Sequence, residues 1–498
     1  MHTIIRGGRL LDIERHSAEP ADVLVEEDTV REIGPPGLAA PVDAIHRNAT
    51  GRLLMPGLVN AHTHGHNNLA KSLGDRWTLE LLLNAAPWIT GNRTVEDKYL
   101  STLIGAVEMV RKGCTAAYDL NFELPAPTSE GLEAIGRAYA DSGMRAVVAP
   151  MMADRTFHRA IPGLMDALPD ALRREAEAVA LKPFAESLAA WEHALRAWPF
   201  PRDRVRLALA PTIPHHCSEE FLRSAQAKAH EHGVGFHTHL AESKVQALAG
   251  MKLYGMTQTA WLDSLGVLGP HFTAAHAVWL DRDDMRRIAD AGGAVAHNPG
   301  SNARLGNGLA AARALLDAGV RVGIGTDACT CSDNLNMFEA MRIASMVSRV
   351  QELDYERWLA TGEVLDLATR GSAAVLGFGD EIGSIEPGRK ADIVFLDLGQ
   401  INYVPLNDPV NQIVHGEDGT GVESVMIGGR MVLEGRRMVT VDEAKLARDA
   451  QAAAERLAAV NADARALAER LEGPVGRYAV EWSREDYHIE RHARCTLG

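Results

Sequence analysis

The chain lacks most of what would place a protein outside the cell, in a membrane or on a nucleic acid. Its 498 residues contain only five cysteines, at positions 114, 217, 329, 331 and 495. An odd number so widely scattered argues against a disulfide framework and fits a reducing cytoplasm. No window approaches the roughly 18 unbroken apolar residues that a membrane helix requires. The first residues, MHTIIRGGRLLDIERHS, lack the charged-then-apolar order of a secretory signal. Positive charge is in deficit: 51 Lys and Arg against 66 Asp and Glu leave a net charge of −15. That balance argues against nucleic acid or an anionic membrane as partner and leaves a small molecule. Internal repeats and low-complexity stretches are absent as well. What remains is 46% hydrophobic and 23% charged, the composition of a soluble globular protein. The length exceeds one ordinary core, so a large domain and at least one smaller one are expected.

Along the chain the pattern changes twice. Residues 1–57 read as short alternating strands and turns with no helix. From 58 to about 380 the chain alternates apolar strands with amphipathic helices. Strands are expected at 55–62, 113–120, 144–151, 205–211, 233–239, 272–276, 292–297 and 320–326. Helical periodicities lie at 95–112, 129–142, 170–198, 218–232, 281–291 and 308–319. Eight strands with intervening helices match an α/β fold, the (β/α)8 TIM barrel, whose chemistry sits at the carboxyl ends of its strands. After 381 the pattern returns to β, with the Gly-Gly and Glu-Gly turns of hairpins. Neither terminal segment can bury a core alone. Residues 1–57 and 381–440 are therefore expected to form one composite β-sandwich domain. Residues 441–472 read as helical, within a C-terminal helix and tail spanning 441–498. The two tail histidines in YHIERHARC suit a surface or subunit contact better than a metal.

The candidate chemistry gathers at the strand ends. In LLMPGLVNAHTHGHNN an apolar run stops at His62 and His64, two residues apart and so on one face of a strand. Converging imidazoles of this kind begin a divalent-metal site. GVGFHTHLAES ends at His239, with Glu242 three residues on. HFTAAHAVWL places His276 after a further strand, and GVRVGIGTDACTC ends with Asp327 at its tip. Three nitrogens and one carboxylate, from His62, His64, His239 and Asp327, suit one Zn²⁺ per subunit, and Fe²⁺ accepts the same ligand types. Ligands drawn from strands one, five and eight indicate a catalytic site that keeps a water position. There the pKa of bound water falls to about 7, giving metal-bound hydroxide at neutral pH. Glu242 is the candidate proton shuttle, its pKa raised by desolvation, although a carboxylate there also suits the first turn of the next helix. Asp327 doubles as proton acceptor, and His276 is placed to hydrogen-bond the tetrahedral centre. The pair Cys329 and Cys331, with no second cysteine pair, reads better as the packing of a tight loop than as ligands.

These motifs identify the chain as resembling the amidohydrolase superfamily, in its branch of s-triazine hydrolases, guanine deaminase and S-adenosylhomocysteine deaminase. The resemblance spans MPGLVNAHTH, HTHLAES, AHNPGSNARLGNG, GIGTDACTCSDNLNMFEAMR and IGSIEPGRKADIVFLDL, nearly the whole chain. It implies the same assignments: His62, His64, His239 and Asp327 as metal ligands, Glu242 as shuttle and His276 as the non-ligand histidine. Two-metal members carry a lysine at the end of strand four; RLALAPTIPHHCS has none, so the resemblance implies a mononuclear site. It also implies a homo-oligomer.

Departures from the family pattern bear on substrate. Where deaminases of this branch read APHAPYTCS, this chain has Thr212 and His215; Lys71 replaces an arginine, and His66 is additional. The changes argue against purine nucleosides and leave the ring open. His66, Trp77, Arg155, His158, His215, His297 and Asn302 are the candidate substrate contacts, with Trp88 a further aromatic beside Trp77. Each also has a plain structural reading as core packing, turn or solvated loop. The expected activity is hydrolytic deamination of a pyrimidine, triazine, pterin or purine, with ammonia as product. Hydrolysis of a cyclic amide, or displacement of chloride or an alkylamine from an azine, is the rival within the same chemistry. A non-catalytic metal sensor is the rival outside it, and the presence of Glu242 speaks against that.

Overall fold

The computed structural model describes residues 1–492, so Cys495 lies outside the described residues. Its centre is a parallel α/β architecture of TIM-barrel type. One sheet holds Leu58–Thr63, Cys114–Phe122, Arg145–Met152 and the short pair Val205–Leu207 and Ala210–Pro211. A second holds Phe236–Leu240, Phe272–His276, Ala294–His297 and Arg321–Ile324. Isolated parallel bridges, Thr63 to Asp327 and Leu209 to Phe236, link the two sheets at both edges. Leu58–Thr63 and Arg145–Met152 are buried at every position, as parallel strands covered on both faces must be. The intervening helices start where a side chain can satisfy their first N–H groups. Thr94 and Asp97 form a reciprocal capping box before Val95–Arg111, and Ser218 caps Glu219–His232.

All strands from both ends of the chain lie in one nine-stranded sheet. The junction is Arg52–Pro56 running antiparallel to Ile393–Asp397, with Leu54 opposite Phe395. Between the strands of the later segment sits a helix, Pro409–His415, absent from the sequence reading. Asp408 caps it and Pro409 takes its first position, a start signal that the surrounding hairpin turns concealed.

Two helical expectations are corrected. The single helix read at 170–198 is broken into Asp170–Glu177 and Phe184–Arg196. Pro183 has no N–H to donate and pushes the residue before it out of the helical region. The helix expected to stop at 472 does not stop. Glu443–Val460 is followed by Ala462–Ser483, which buries Leu471, Val475, Ala479 and Trp482 in one cluster with Leu81 and Phe157. That spacing of three and four is a helical stripe, and it packs against the helix Leu79–Thr90 beside the candidate site. Among the described residues, no helix is long and apolar enough to cross a membrane.

One glycine decides how closely the first and last parallel strands approach. A Cβ on Gly325 would overlap Asn298 Oδ1 and come within 2.8 Å of the His62 carbonyl oxygen and 2.9 Å of its nitrogen. Gly325→Ala is expected to destabilise the protein by about 1–3 kcal/mol through forced strand separation. Urea denaturation reads this directly; an unchanged midpoint would show that the two strands have slack.

Candidate metal centre

The parallel strands deliver their polar side chains to one place. His62, His64 and His239 form a group whose ring nitrogens all lie within 4.8 Å of one another, and His62, His276 and Asp327 form a second. The backbone there is unusual. Ala241, His276, Ala277 and Asp327 all have positive φ, at 46°, 69°, 51° and 60°. Non-glycine residues adopt this region rarely, and its concentration at the ends of three strands marks a site over-determined by its surroundings.

Hydrogen bonds set the imidazole tautomers. His64 Nδ1 donates to the Leu120 carbonyl at 2.6 Å, and His239 Nδ1 donates to the Thr212 carbonyl at 2.7 Å. With the protons on Nδ1, each Nε2 presents a lone pair. These two nitrogens face one another at 3.1 Å, and His64 Nε2 also lies 3.1 Å from Asp327 Oδ1. His62 Nε2 is 3.5 Å from the same oxygen, and neither of its ring nitrogens has a hydrogen-bond partner. Converging lone pairs repel, and a cation turns that repulsion into coordination. Backbone carbonyls that accept from the far ring nitrogen are the usual support of metal-binding histidines. The donor set therefore fits a divalent metal.

The carboxylates are held for two different states. Asp327 is buried, which alone would raise its pKa. The His62 and His64 rings outweigh that and hold its carboxyl well below the usual range. Ser301 Oγ donates to Asp327 Oδ2 at 2.6 Å and the Ala328 N–H donates to Oδ1 at 2.8 Å. Glu242 goes the other way. Burial, then the charges of Asp327 and Glu80, raise its pKa well above the ordinary value. Its neighbour Ser243, not Glu242, caps Lys244–Tyr254, so the capping role open to Glu242 in the sequence is already filled. Asn307 Nδ2 donates to Glu242 Oε1 at 3.0 Å, and Glu242 Oε2 lies 3.5 Å from His276 Nε2. Asn302 Oδ1 accepts from His276 Nδ1 at 2.9 Å. Burial lowers the pKa of His62 to about 3 and those of His239 and His276 as well, so these rings are neutral. Burial would also lower that of His64, but the Asp327 carboxylate reverses the direction and raises it.

A cavity opens onto this cluster and shares Glu242, His276 and Asp327 with it. Of the candidate contacts, His66, Arg155 and His158 line it. Burial lowers His158 to about 4, and its Nε2 pairs with Asn84 Oδ1 at 3.1 Å. Four others are outside the lining. Trp77 packs with Leu79 and Leu83, and meets the Trp88 ring edge-on at 6.5 Å. His215 turns away, its Nδ1 held by Gln258 Nε2 at 2.9 Å, and His297 is buried behind the wall. Asn302 acts on His276 instead of facing the cavity. Lys71 pairs with Glu108.

Sequence reasoning missed His216, which lines the cavity where His215 was expected. The adjacent pair sits in a single 3-10 turn, so only the local twist decides which ring turns inward. It also missed Ser301 and Asn307, which hold the two carboxylates. Both occur in AHNPGSNARLGNG, the motif in which His297 and Asn302 are the candidate contacts.

The model of the amidohydrolase family matches residues 53–432. A 5-methylthioadenosine/S-adenosylhomocysteine deaminase of Desulforudis audaxviator is 32% identical over 462 residues, covering 92% of this chain and 99% of the relative. The crystal structure of an adenosine deaminase from Xanthomonas campestris with bound zinc superposes with a TM-score of 0.80 at 27% identity, covering 91% of this chain and 98% of the other. An atrazine chlorohydrolase from Arthrobacter aurescens TC1, complexed with zinc, gives a TM-score of 0.81 at 26% identity, covering 91% of this chain and the whole of the other, 100%.

Proposed function

The chain belongs to the amidohydrolase family, and from that premise we propose that it is a metal-dependent aminohydrolase. It removes the amino group from an amino-substituted nitrogen heterocycle and releases ammonia. The observation that carries this reading is Glu242: a carboxyl whose pKa burial raises, 3.5 Å from a neutral imidazole, at the end of a cavity that leads to a converging donor set.

His62, His64, His239 and Asp327 would hold one divalent ion per subunit, and three nitrogens with one oxygen favour Zn²⁺, with Fe²⁺ the alternative. A zinc ion in this set supplies Lewis-acid activation of water at neutral pH. The protein's own groups do the rest. Glu242 gives its proton to the ring nitrogen beside the carbon that carries the amino group, which makes that carbon electrophilic. Asp327, ionised and held by Ser301, accepts a proton from the attacking water and passes it to the departing amine. His276 Nε2, with Asn302 fixing the other face of its ring, orients the oxygen that adds to the ring carbon. The new carbon–oxygen bond replaces the carbon–nitrogen bond, the remaining hydroxyl proton returns to Glu242, and ammonia leaves. Leu82, Ile89, Phe122 and Met151 in the cavity wall keep bulk water away from the protonated Glu242.

A second reading has one observation in its favour. Among the described residues, Glu242 and Asp327 are the only carboxylates lining the cavity, and much of the rest of the wall is apolar. Such a wall suits an alkyl-substituted azine, as does the likeness to an atrazine chlorohydrolase. Zinc-loaded protein screened against aminopurines, aminopyrimidines, aminotriazines and pterins decides between them. Ammonia from any of these supports deamination; chloride from a chloroazine or an opened-ring carboxylate moves the chemistry to the rival. Failure to release any of the three would remove the aminohydrolase assignment. The adenosine derivatives named for the relatives belong in the first round.

We read the finer architecture in the same spirit. The two bridges that join the parallel sheets support a closed eight-stranded barrel over 58–380. Contact between Val23 and Val25 of the first segment and Ile393 and Phe395 of the later one supports a sandwich built from 1–57 and 381–440, followed by the helices and tail of 441–498. Four free, buried cysteines among the described residues support a reducing cytoplasm. Homo-oligomeric assembly, suggested by family likeness, is read by sedimentation.

A further inference from the structure

Beneath the donor cluster, toward the amino-terminal ends of the strands, lie buried polar groups that the proposed chemistry does not use. His237 is fully buried, its ring centroid is 5.0 Å from that of His62, and neither of its ring nitrogens has a partner. The Tyr118 ring meets His237 edge-on at 4.5 Å, and its buried hydroxyl is likewise unpartnered. That hydroxyl lies against Gly235, where an added Cβ would overlap it. Tyr118 and Gly235 both line a second cavity, of about 630 Å³, whose wall includes Asp203, Arg206, His271 and Glu381. This cavity is on the face opposite the metal centre: Gly235, His271 and Ala294 precede or begin their strands, whereas His239 and His276 end them.

The interior between the two faces includes several small side chains beside the larger Val59, Leu120, Val147 and Met151. Ala61, Ala116, Ala208, Ala210, Ala294 and Ala296 share a buried cluster with Tyr118. Barrels of this type ordinarily fill that space with Val, Ile and Leu. Small residues around orphaned polar atoms leave room for water, and buried polar groups in folded proteins are nearly always paired with protein or ordered water.

The geometry points to a hydrated shaft in which ordered water binds along Tyr118 and His237 and joins the metal centre to the cavity on the opposite face. Water and ammonia, the two small molecules of the reaction, then have a route separate from the mouth that the heterocycle fills. The part of the inference that concerns ammonia rests on the aminohydrolase reading. The hydration itself does not, and it is measured on substrate-free protein, so the two can fail separately.

Tyr118→Phe in the zinc-loaded full chain is the first test. A dry, unsatisfied hydroxyl is a liability, so its removal would raise Tm, and that result overturns the shaft. A hydrated hydroxyl predicts an unchanged or lower Tm. It also predicts ordered water within hydrogen-bond distance of Tyr118 Oη and a His237 ring nitrogen in a high-resolution crystal structure; a dry interior there overturns the inference equally. Ala294→Leu then fills the shaft. The expected result is a fall of about tenfold in kcat, with kcat/KM and zinc content unchanged, because release of a small product has been slowed. Unchanged kcat removes the conduit role. Should Ala294→Leu fail to fold, Gly235→Ala presses on the Tyr118 hydroxyl from the same cavity and takes the same readout.

Discussion

Glu242→Gln will bind zinc as the unaltered protein does and lose turnover by about 10²–10⁴-fold, the range for removing a positioned general acid. Glutamine preserves the local structure for a definite reason. Its carbonyl oxygen can accept from Asn307 Nδ2, as Oε1 does at 3.0 Å, and its amide can donate toward His276 Nε2, 3.5 Å from Oε2. What it cannot do is release a proton. Metal analysis beside steady-state kinetics checks the claim; normal kcat in a zinc-replete variant would strip Glu242 of the shuttle role. A second consequence concerns stability. Burial raises the folded-state pKa of Glu242 above its ordinary value of 4.5. The folded protein therefore holds this proton over a pH range in which the unfolded chain has lost it, and the contribution to stability falls as pH rises through that range. Glutamine does not titrate, so the urea midpoint of Glu242→Gln will decline less from pH 5 upward than that of the parent.

Asp327→Ala is expected to lose both metal and activity. The carboxylate lies 3.1 Å from His64 Nε2 and 3.5 Å from His62 Nε2, and it is the one carboxylate among the ring donors. Its removal leaves uncharged donors to hold a dication, and it takes away the base that Ser301 keeps in place. Ser301→Ala is the graded control, because the Ser301 hydroxyl donates to this carboxylate at 2.6 Å. Loss of such a supporting hydrogen bond costs about 10–100-fold in metal affinity or activity. Asp327→Ala should exceed that, with no measurable turnover even in added zinc. Titration with a chromogenic chelator ranks the three proteins. A fully active Asp327→Ala protein, or an order in which Ser301→Ala is the weaker binder, would discard Asp327 as a ligand.

The parts of this site that could be read from sequence are those fixed by short-range geometry. His62 and His64 are two apart on a strand, so they share a face wherever the strand lies. His239, His276 and Asp327 each end an apolar run, and strand ends are where this architecture exposes polar side chains. Other groups were legible only as polar residues in turns. Ser301 and Asn307 sit four and ten residues beyond the strand Ala294–His297, and their partners Asp327 and Glu242 are 26 and 65 positions away. No local pattern reports such a pairing. Trp77 shows the opposite case. An aromatic in a loop after the first strand is a reasonable stacking partner by residue type, yet it is spent on packing with Leu79, Leu83 and Trp88.

From the amino-acid order alone follow the strand–helix alternation, the return to β structure after 381, and the residue types at each strand end. Hydrophobic period and punctuation by glycine and proline act over a few residues, and a linear chain displays them openly. Folding decided the matters that depend on which surfaces meet. It chose His216 over His215 for the cavity wall, separated the charge states of Glu242 and Asp327, and turned two lone pairs toward each other at 3.1 Å. Those outcomes arise from burial and from partners brought together across the chain, and electrostatic energy depends on distance and dielectric, which exist only once the chain is packed.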